Sequence, residues 1–326
     1  MSEARQYLDF EKPIIQLEEE LGRVRIAVES GDLSLVNDVQ KLEKRLTKLR
    51  TDVFGSLTAH QRVQLSRHFE RPFTLDYIEH FIDDFSELHG DRLFGDDAAV
   101  VSGIGRFHGK PVMIVGHQRG RTTQERLERN FGMTHPEGNR KAQRMYKLAE
   151  KFKLPLIAFI DTQGAYPGME AEARGQAEAI ARCLWVLANL RTPIISIIIG
   201  EGGSGGALAL GICDRLLMLE NSIYSVITPE GCAAILWGKE HSSNVGDFVK
   251  DAAAALKLEA KFLFSSGIVD QIVEEAPGGA HRDKKVTAEA VEQAIADHLE
   301  QLVAMPVDEL LNKRYEKFRR IGSLSA

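Results

Sequence analysis

Two runs of apolar residues at alternating steps of three and four open the chain: Ile14, Leu17, Leu21, Val24 and Val28, then Leu35, Val39, Leu42, Leu46, Leu49 and Val53. That is helical periodicity with one apolar seam per helix. Ser30-Gly31-Asp32 breaks the pattern and Ser34 offers an N-cap, so an antiparallel helical hairpin is expected. Seams this narrow bury little by themselves. The hairpin therefore either docks on the rest of the chain or meets another chain.

From about Ala98 the texture changes to AVVSGIGRF, a turn at HGK and PVMIVGHQ, which predicts a β-hairpin entering a sheet. A helix is expected from Asn139 to Phe152. Three units of strand, glycine-bearing turn and helix come next. LPLIAFID runs into TQGAYPG and a helix from about Glu172 to Leu190; PIISIIIG runs into EGGSGG and a short helix; RLLMLENSIYSVI runs into TPEG and another helix. Unbroken β-branched runs such as Ile194 to Ile199 suit strands buried on both faces, so an α/β fold with a helix-covered sheet is expected. The turns lie at the C-terminal ends of strands, where α/β proteins put their sites. IVDQIV is a last strand candidate, and the chain from Val286 to its end is mostly amphipathic helix.

Composition narrows the partners. The 326 residues are 44% hydrophobic and 27% charged, ordinary for a globular protein. Lys and Arg number 41 against 47 Asp and Glu, a net charge of -6, so no basic field points to nucleic acid. Cys183, Cys213 and Cys232 lack C-x-x-C spacing and sit among apolar or small residues, which predicts reduced core thiols and no metal. The start MSEARQYLDFEKP carries no signal pattern, and no apolar run approaches the roughly 18 residues of a membrane span. A cytoplasmic protein with no membrane attachment is expected.

The stretch EGGSGGALAL fits three catalytic patterns. Gly200, Gly202 and Gly205 spell a dinucleotide fingerprint, with Glu220 as the acid twenty residues on, but the helix after them is short for that unit. Gly202, Ser204 and Gly206 spell a nucleophile elbow, with Asp270 and His281 in the chain order of α/β-hydrolases; His281 lies in a polar, turn-rich stretch. The third reading needs no side chain: Gly205 and Gly206 offer backbone N–H groups at a helix start, where the dipole favours negative charge.

RPFTLDYIEHFIDDFSELHGDR, GHQRGR, NFGMTHPEG, DTQGAYPG, RGQAEAIAR, GEGGSGGALALG, YSVITPEGCAAILW and GGAHR stand in this order along the chain. The set resembles the α subunit of bacterial acetyl-coenzyme A carboxylase carboxyltransferase, from about Leu8 to the C-terminal helices. The resemblance implies a crotonase-like (ClpP/crotonase) spiral of ββα units at residues 91–326, preceded at 1–90 by the helical hairpin and a connecting helix. It further implies an α2β2 heterotetramer with a zinc-bearing β subunit, working with the biotin carboxyl carrier protein and biotin carboxylase. No metal is expected in this chain, which lacks the β subunit's four-cysteine ribbon. One departure is Gln163, where the family pattern usually has proline; glutamine loosens the turn and adds a donor.

The activity implied is transfer of a carboxyl group from N1-carboxybiotin on the carrier to acetyl-coenzyme A, giving malonyl-coenzyme A for fatty acid synthesis. Gly205 and Gly206 would hold the negative charge that develops on the biotin ureido oxygen, and the partner would hold the thioester enolate. Gly164 and Ala165 would wall the carboxybiotin site beside Gly203 and Ser204, with Tyr166 packed on the ring; the alternative is a structural turn with a core tyrosine. The cations Arg119, Arg121, Arg126, Arg129, Arg140, Lys141, Arg144 and Lys147 either include contacts to phosphate or carboxylate, foremost Arg119, Arg121 and Arg140, or form a solvated helix face. A scaffold or carrier-docking role, with all chemistry on the partner, is the alternative to catalysis by this chain.

Overall fold

The computed structural model describes residues 7–238 and 245–322. Helices α1 (Lys12–Glu29) and α2 (Val36–Gly55) form the expected hairpin. Its turn holds Gly31 at φ 109°, a left-handed conformation that a side chain resists. The cap is Asp32 rather than Ser34: a short 3-10 segment precedes α2, and Asp32 Oδ1 accepts the Ser34 N–H at 3.2 Å. Ile14, Leu17, Leu21 and Leu46 are buried against Val39, Leu42, Leu49, Val53 and Phe54, so the two seams face each other.

Polar bonds fasten this small core to the body of the chain. Glu11 Oε1 lies 2.9 Å from His281 Nε2, and Glu18 accepts from both Arg282 and Arg50. The hairpin thus docks on its own chain. Helix α3 (Ala59–Ser66) opens on a capping box between Thr58 and Gln61, and α4 (Thr74–Phe81) comes after it. Although α4 and β1 (Asp83–Glu87) precede residue 90, both pack into the main domain: Tyr77, Ile78 and Phe81 enter its core, and β1 pairs with β2 (Val100–Phe107).

Strand β2 pairs antiparallel with β3 (Lys110–His117) through the expected turn, where His108 and Gly109 both take positive φ. After α5 (Thr123–Glu128), α6 (Pro136–Phe152) begins three residues ahead of Asn139 because Pro136 occupies its first position. Beyond β4 (Leu156–Thr162) the single expected helix is two, α7 (Met169–Ala173) and α8 (Gln176–Asn189), parted where Gly175 turns at φ 84°. Then come β5 (Ile194–Gly203), α9 (Ser204–Gly211), β6 (Arg215–Leu219), β7 (Ile223–Ser225) and α10 (Pro229–Trp237). The chain closes with α11 (Val249–Ala255), α12 (Ala260–Ser265), β8 (Gln271–Val273), α13 (Lys284–Val303) and α14 (Val307–Arg320).

The sheet runs β1-β2-β3-β4-β5-β6-β8, antiparallel over its first three strands and parallel from β3 onward, with β7 beside the far end of β5. Its central strands are buried on both faces, as the apolar runs predict. Leu156, Ala158, Ile160, Ile194 and Ile198 pack under α6, α8 and α9, while Ile157, Phe159, Ile195, Ile197 and Ile199 face α4 and α13. The period of two thus splits each run between two cores. No described helix is long and apolar enough to cross a membrane. All three cysteines are free; Cys183 and Cys213 are buried, Cys232 half-buried, and burial pushes the Cys183 thiol up to about 12, an inert form.

The hairpin's attachment is pH-dependent. Burial raises the pKa of Glu11 and Glu18, but bonds from His281 and the Leu8 N–H to the first, and from Arg50 and Arg282 to the second, outweigh it, so both carboxyls sit below the usual glutamate value of 4.5. Carboxylates with depressed folded pKa values contribute stability that is complete above about pH 4.5 and is lost as pH falls through the folded values. Limited proteolysis between pH 6 and pH 3.5 should therefore release α1 and α2 before the sheet domain opens. His281→Ala, which removes one of the two bonds to buried Glu11, should weaken the clamp and bring that cleavage closer to neutral pH.

Candidate active site

The glycine stretch expected as a loop is strand as far as Gly203. Glu201, Gly202 and Gly203 pair with Ile223, Tyr224 and Ser225 of β7, and α9 starts at once with Ser204. The absence of side chains permits this. A Cβ at Gly203 would stand 2.1 Å from the Gln163 carbonyl oxygen, and one at Gly206 would stand 2.7 Å from Gly164 C and 2.8 Å from Ala165 N. At Gly205 the nearest atom is the flexible end of Ile180, at 3.3 Å. Gly203 and Gly206 thus let the DTQGAYPG turn and the start of α9 press backbone to backbone, which brings together the residues expected to bind carboxybiotin.

No side chain caps α9. The amides of its first turn, which include Gly205 and Gly206, have no acceptor within the helix, and the positive end of the dipole lies there. On the facing turn Thr162 Oγ1 donates to the Gly164 carbonyl at 2.8 Å and accepts its N–H at 3.1 Å, fixing Gly164 at φ 152°. Tyr166 is half-buried, its N–H bonded to Thr134 O at 2.9 Å and its ring 4.2 Å from that of His135. Gln163 lines a cavity of about 310 Å3 together with Arg67, Arg119, Arg126, Phe73 and Phe131.

Behind the turn lies a charged layer that the sequence motifs do not announce. Asp161, 2% exposed at the end of β4, accepts the Glu201 N–H at 3.0 Å, and Arg119 Nε lies 3.1 Å from the same oxygen. Glu201, equally buried, receives Arg119 at 3.1 Å and both Nε and Nη2 of Arg67, at 3.0 and 2.8 Å; Arg67 also bonds Glu230 at 2.7 Å. Burial raises the Asp161 carboxyl above its usual range, with Arg119 opposing. Burial also opposes the charge on Arg67, but its bonds to Glu201 and Glu230 raise its pKa nonetheless. His117, whose Nδ1 accepts the Asp161 N–H at 3.3 Å, is pushed down to about 3 by burial and Arg119, so it is neutral. A signal for this layer does exist in the sequence: Asp161 and Glu201 are acids set at the ends of apolar strands, where a carboxylate needs cations.

The cation run from Arg119 to Lys147 is mostly engaged inside the protein. Arg121 binds Asp76 and the carbonyls of Phe69 and Arg71; Arg140 binds Asp91 at 2.9 Å and Glu137 at 2.8 Å; Lys141 binds Asp96 at 2.6 Å. Arg129 and Arg144 bond backbone carbonyls, Arg126 reaches the Gly120 carbonyl at 3.3 Å, and Lys147 is exposed.

Ser204 does sit at a strand-to-helix turn with φ 50°, the local shape of a nucleophile elbow. Its side chain makes no hydrogen bond to a described residue, and its candidate partners are engaged elsewhere: Asp270 with the Leu216 N–H and Lys317, His281 with Glu11. Glu220 accepts the Glu275 N–H at 3.1 Å, and the glycines of the dinucleotide pattern lie within or directly after a paired strand. Among the described residues Glu11, His68 and His281 have metal-ligand spacing, their donor atoms within 4.8 Å of one another. These donors are bonded within the protein: His281 to Glu11, Glu11 to the Leu8 N–H at 3.0 Å, and His68 Nδ1 to the Glu70 N–H at 3.2 Å. The trio clamps the foot of the hairpin. A cavity of about 910 Å3 under α14 lies away from the glycine turn, and its Arg314 and Lys317 are paired with Asp214 and Asp270.

A family model described as acetyl co-enzyme A carboxylase carboxyltransferase-like matches residues 7–322. The acetyl-coenzyme A carboxylase carboxyl transferase subunit alpha of Halalkalibacterium halodurans is 54% identical over 318 residues, 98% of this chain and 96% of the relative. The subunit of the same name from Listeria monocytogenes is 52% identical over 97% of each chain. Among solved structures, transcarboxylase 12S with methylmalonyl-coenzyme A and methylmalonic acid bound matches 72% of this chain at 20% identity and a TM-score of 0.58; this chain spans 42% of that longer one. A chain of a Pseudomonas malonate decarboxylase heterodimer matches at 19% identity and a TM-score of 0.54, over 70% of this chain and 89% of its own. The solved structures speak for the fold, which is the crotonase-like α/β arrangement expected. By its full-length relatives, this chain belongs to the acetyl-coenzyme A carboxylase carboxyltransferase-like family.

Proposed function

We infer that this chain is the alpha subunit of an acetyl-coenzyme A carboxylase carboxyltransferase. With a beta subunit it moves a carboxyl group from N1-carboxybiotin, borne by the biotin carboxyl carrier protein, to acetyl-coenzyme A, giving malonyl-coenzyme A. The supporting observation within the chain is the uncapped start of α9 pressed against the Gly164-Ala165 turn, a site made of backbone.

Carboxybiotin, when bound, supplies an activated carboxyl group and a ureido oxygen that gains negative charge as that group departs. The N–H groups of Gly205 and Gly206 are the donors assigned to that charge, with the α9 dipole behind them. Such donors are fixed before the reaction, so stabilisation costs no reorganisation; one of them is worth about 2.7–4 kcal/mol in comparable sites. Gly164, Ala165 and Tyr166 form one wall, and Gly203 and Ser204 set the direction of the first turn. No side-chain base is assigned, in keeping with a Ser204 side chain that bonds no base among the described residues. Val226, Ile235 and Leu236, large apolar side chains exposed in and before α10, offer part of a surface for the beta subunit.

The first test is malonyl-coenzyme A decarboxylation dependent on biocytin, run with this chain, with a zinc-ribbon beta partner, and with both. Activity is expected only in the mixture; its absence from an assembled mixture would overturn the assignment. Within that assay Ser204→Ala should keep kcat within a few-fold of wild type. Gly206→Ala should lose about 100-fold, because its Cβ must displace the Gly164-Ala165 backbone, and Gly205→Ala, which meets only the end of Ile180, should lose less. An inactive Ser204→Ala in an intact complex would return the elbow to contention.

A further inference from the structure

Strands β4 and β5 are out of step where the site begins. Ile160 pairs with Ile198 and Thr162 with Gly202, so one residue of β4, Asp161, opposes three of β5, Ile199, Gly200 and Glu201. A bulge of this kind bends its strand and re-aims the chain beyond it. Here the re-aimed residues are Gly202, Gly203 and the first turn of α9. An irregular stretch of buried backbone needs acceptors and donors of its own, and charged side chains supply two of them. Asp161 Oδ1 accepts the Glu201 N–H at 3.0 Å, and Arg71, itself held by Glu275, donates to the Ile199 carbonyl at 3.0 Å. The Glu201 side chain is held in turn by Arg67 and Arg119, and Arg119 also touches Asp161. Gly200 has no room for more: a Cβ there would stand 2.6 Å from Asp161 Oδ1.

We propose that Asp161 and Glu201 are positioning residues for carboxyl transfer: with Arg67 and Arg119 they lock the β5 bulge, and the locked bulge sets where the Gly205 and Gly206 amides point. This rests on the reading of those amides as the charge-stabilising donors. Neither acid touches the reacting atoms. Their contribution is to the angle of a short helix, whose donors lose most of their effect if they are misplaced by about 1 Å.

The test uses the assembled complex and the biocytin-dependent assay, with kcat, both KM values and the melting temperature measured for each variant. Asp161→Ala and Glu201→Ala should lower kcat by about 10- to 100-fold with KM for malonyl-coenzyme A and biocytin within about twofold. Asp161→Asn, whose amide oxygen can still accept the Glu201 N–H, should recover most of the loss. The control is Asp214→Asn: Asp214, just before β6, accepts the N–H of Ile194 at the opposite end of β5, at 2.8 Å, and pairs with buried Arg314. It should lower the melting temperature and leave kcat unchanged.

Wild-type kcat in both alanine variants, or a kcat loss in Asp214→Asn matching theirs, would overturn the inference. If the alanine variants do not assemble, Glu201→Gln decides: a several-fold kcat loss at unchanged KM supports the lock, and full activity sinks it. Gly206→Ala separates the two levels. Its inactivity beside active Asp161 and Glu201 variants removes only the positioning role, whereas its full activity removes the amide reading itself.

Discussion

A carboxylate buried at the end of a strand must be met by cations, and meeting two of them organises one end of this molecule. Asp161 and Glu201 are each 2% exposed. Left unpaired, either would cost several kcal/mol of lost hydration, so the fold brings charge to them. Arg67 comes from the end of α3, Arg71 from the link to α4 and Arg119 from the end of β3; Glu230 of α10 and Glu275 after β8 complete the pairs. Segments from five places in the chain are thus committed to one spot for electrostatic reasons, and that spot adjoins the tip of β5.

The arrangement separates two tasks that many sites combine. Charge stays behind the backbone, neutralised in pairs and buried at Asp161, Glu201, Arg71 and Glu275, while the face proposed for the ligand is made of glycine, alanine and serine. A bare helix start could not hold its aim on packing alone, because glycines bring no side chains to pack. The ion pairs supply the missing rigidity. The hairpin of α1 and α2 stands apart from this network: it has its own apolar seam and its own polar clamp, Glu11 with His281 and Glu18 with Arg282. Its stability should track the titration of two carboxylates more than the integrity of the sheet.

Much of the fold was legible because its signals are local. Runs such as Ile194 to Ile199 announce strands covered on both faces, and steps of three and four announce α1 and α2. What was not legible depends on residues far apart in sequence. EGGSGG reads as a loop because glycine disfavours strands, yet pairing with β7 and the press of Gln163 keep Glu201 to Gly203 extended. The strand β1, DDFSE, carries little apolar pattern because four of its five residues are exposed at the sheet's edge. The cation run reads as a field or a solvated face, but Arg121 finds Asp76 and Arg140 finds Asp91, carboxylates that no spacing rule connects to them. Of the candidate site, the glycine motif stood out locally; Asp161 and Glu201 showed only as acids at the ends of apolar strands, since nothing local says which arginine each one meets.

Gln163 shows how such long-range contacts alter a local rule. In place of the proline usual in the family pattern, glutamine frees φ and should loosen the turn. The structure holds that turn by other means. Thr162 bridges the N–H and carbonyl of Gly164, the Tyr166 N–H is bonded to Thr134, and the Gln163 carbonyl lies so close over Gly203 that no side chain could come between. A residue whose neighbours already fix its backbone loses little when its own ring restraint is removed. What glutamine adds is a polar side chain on a cavity that Arg67, Arg119 and Arg126 also line, so the substitution changes the lining of that cavity more than the stiffness of the turn.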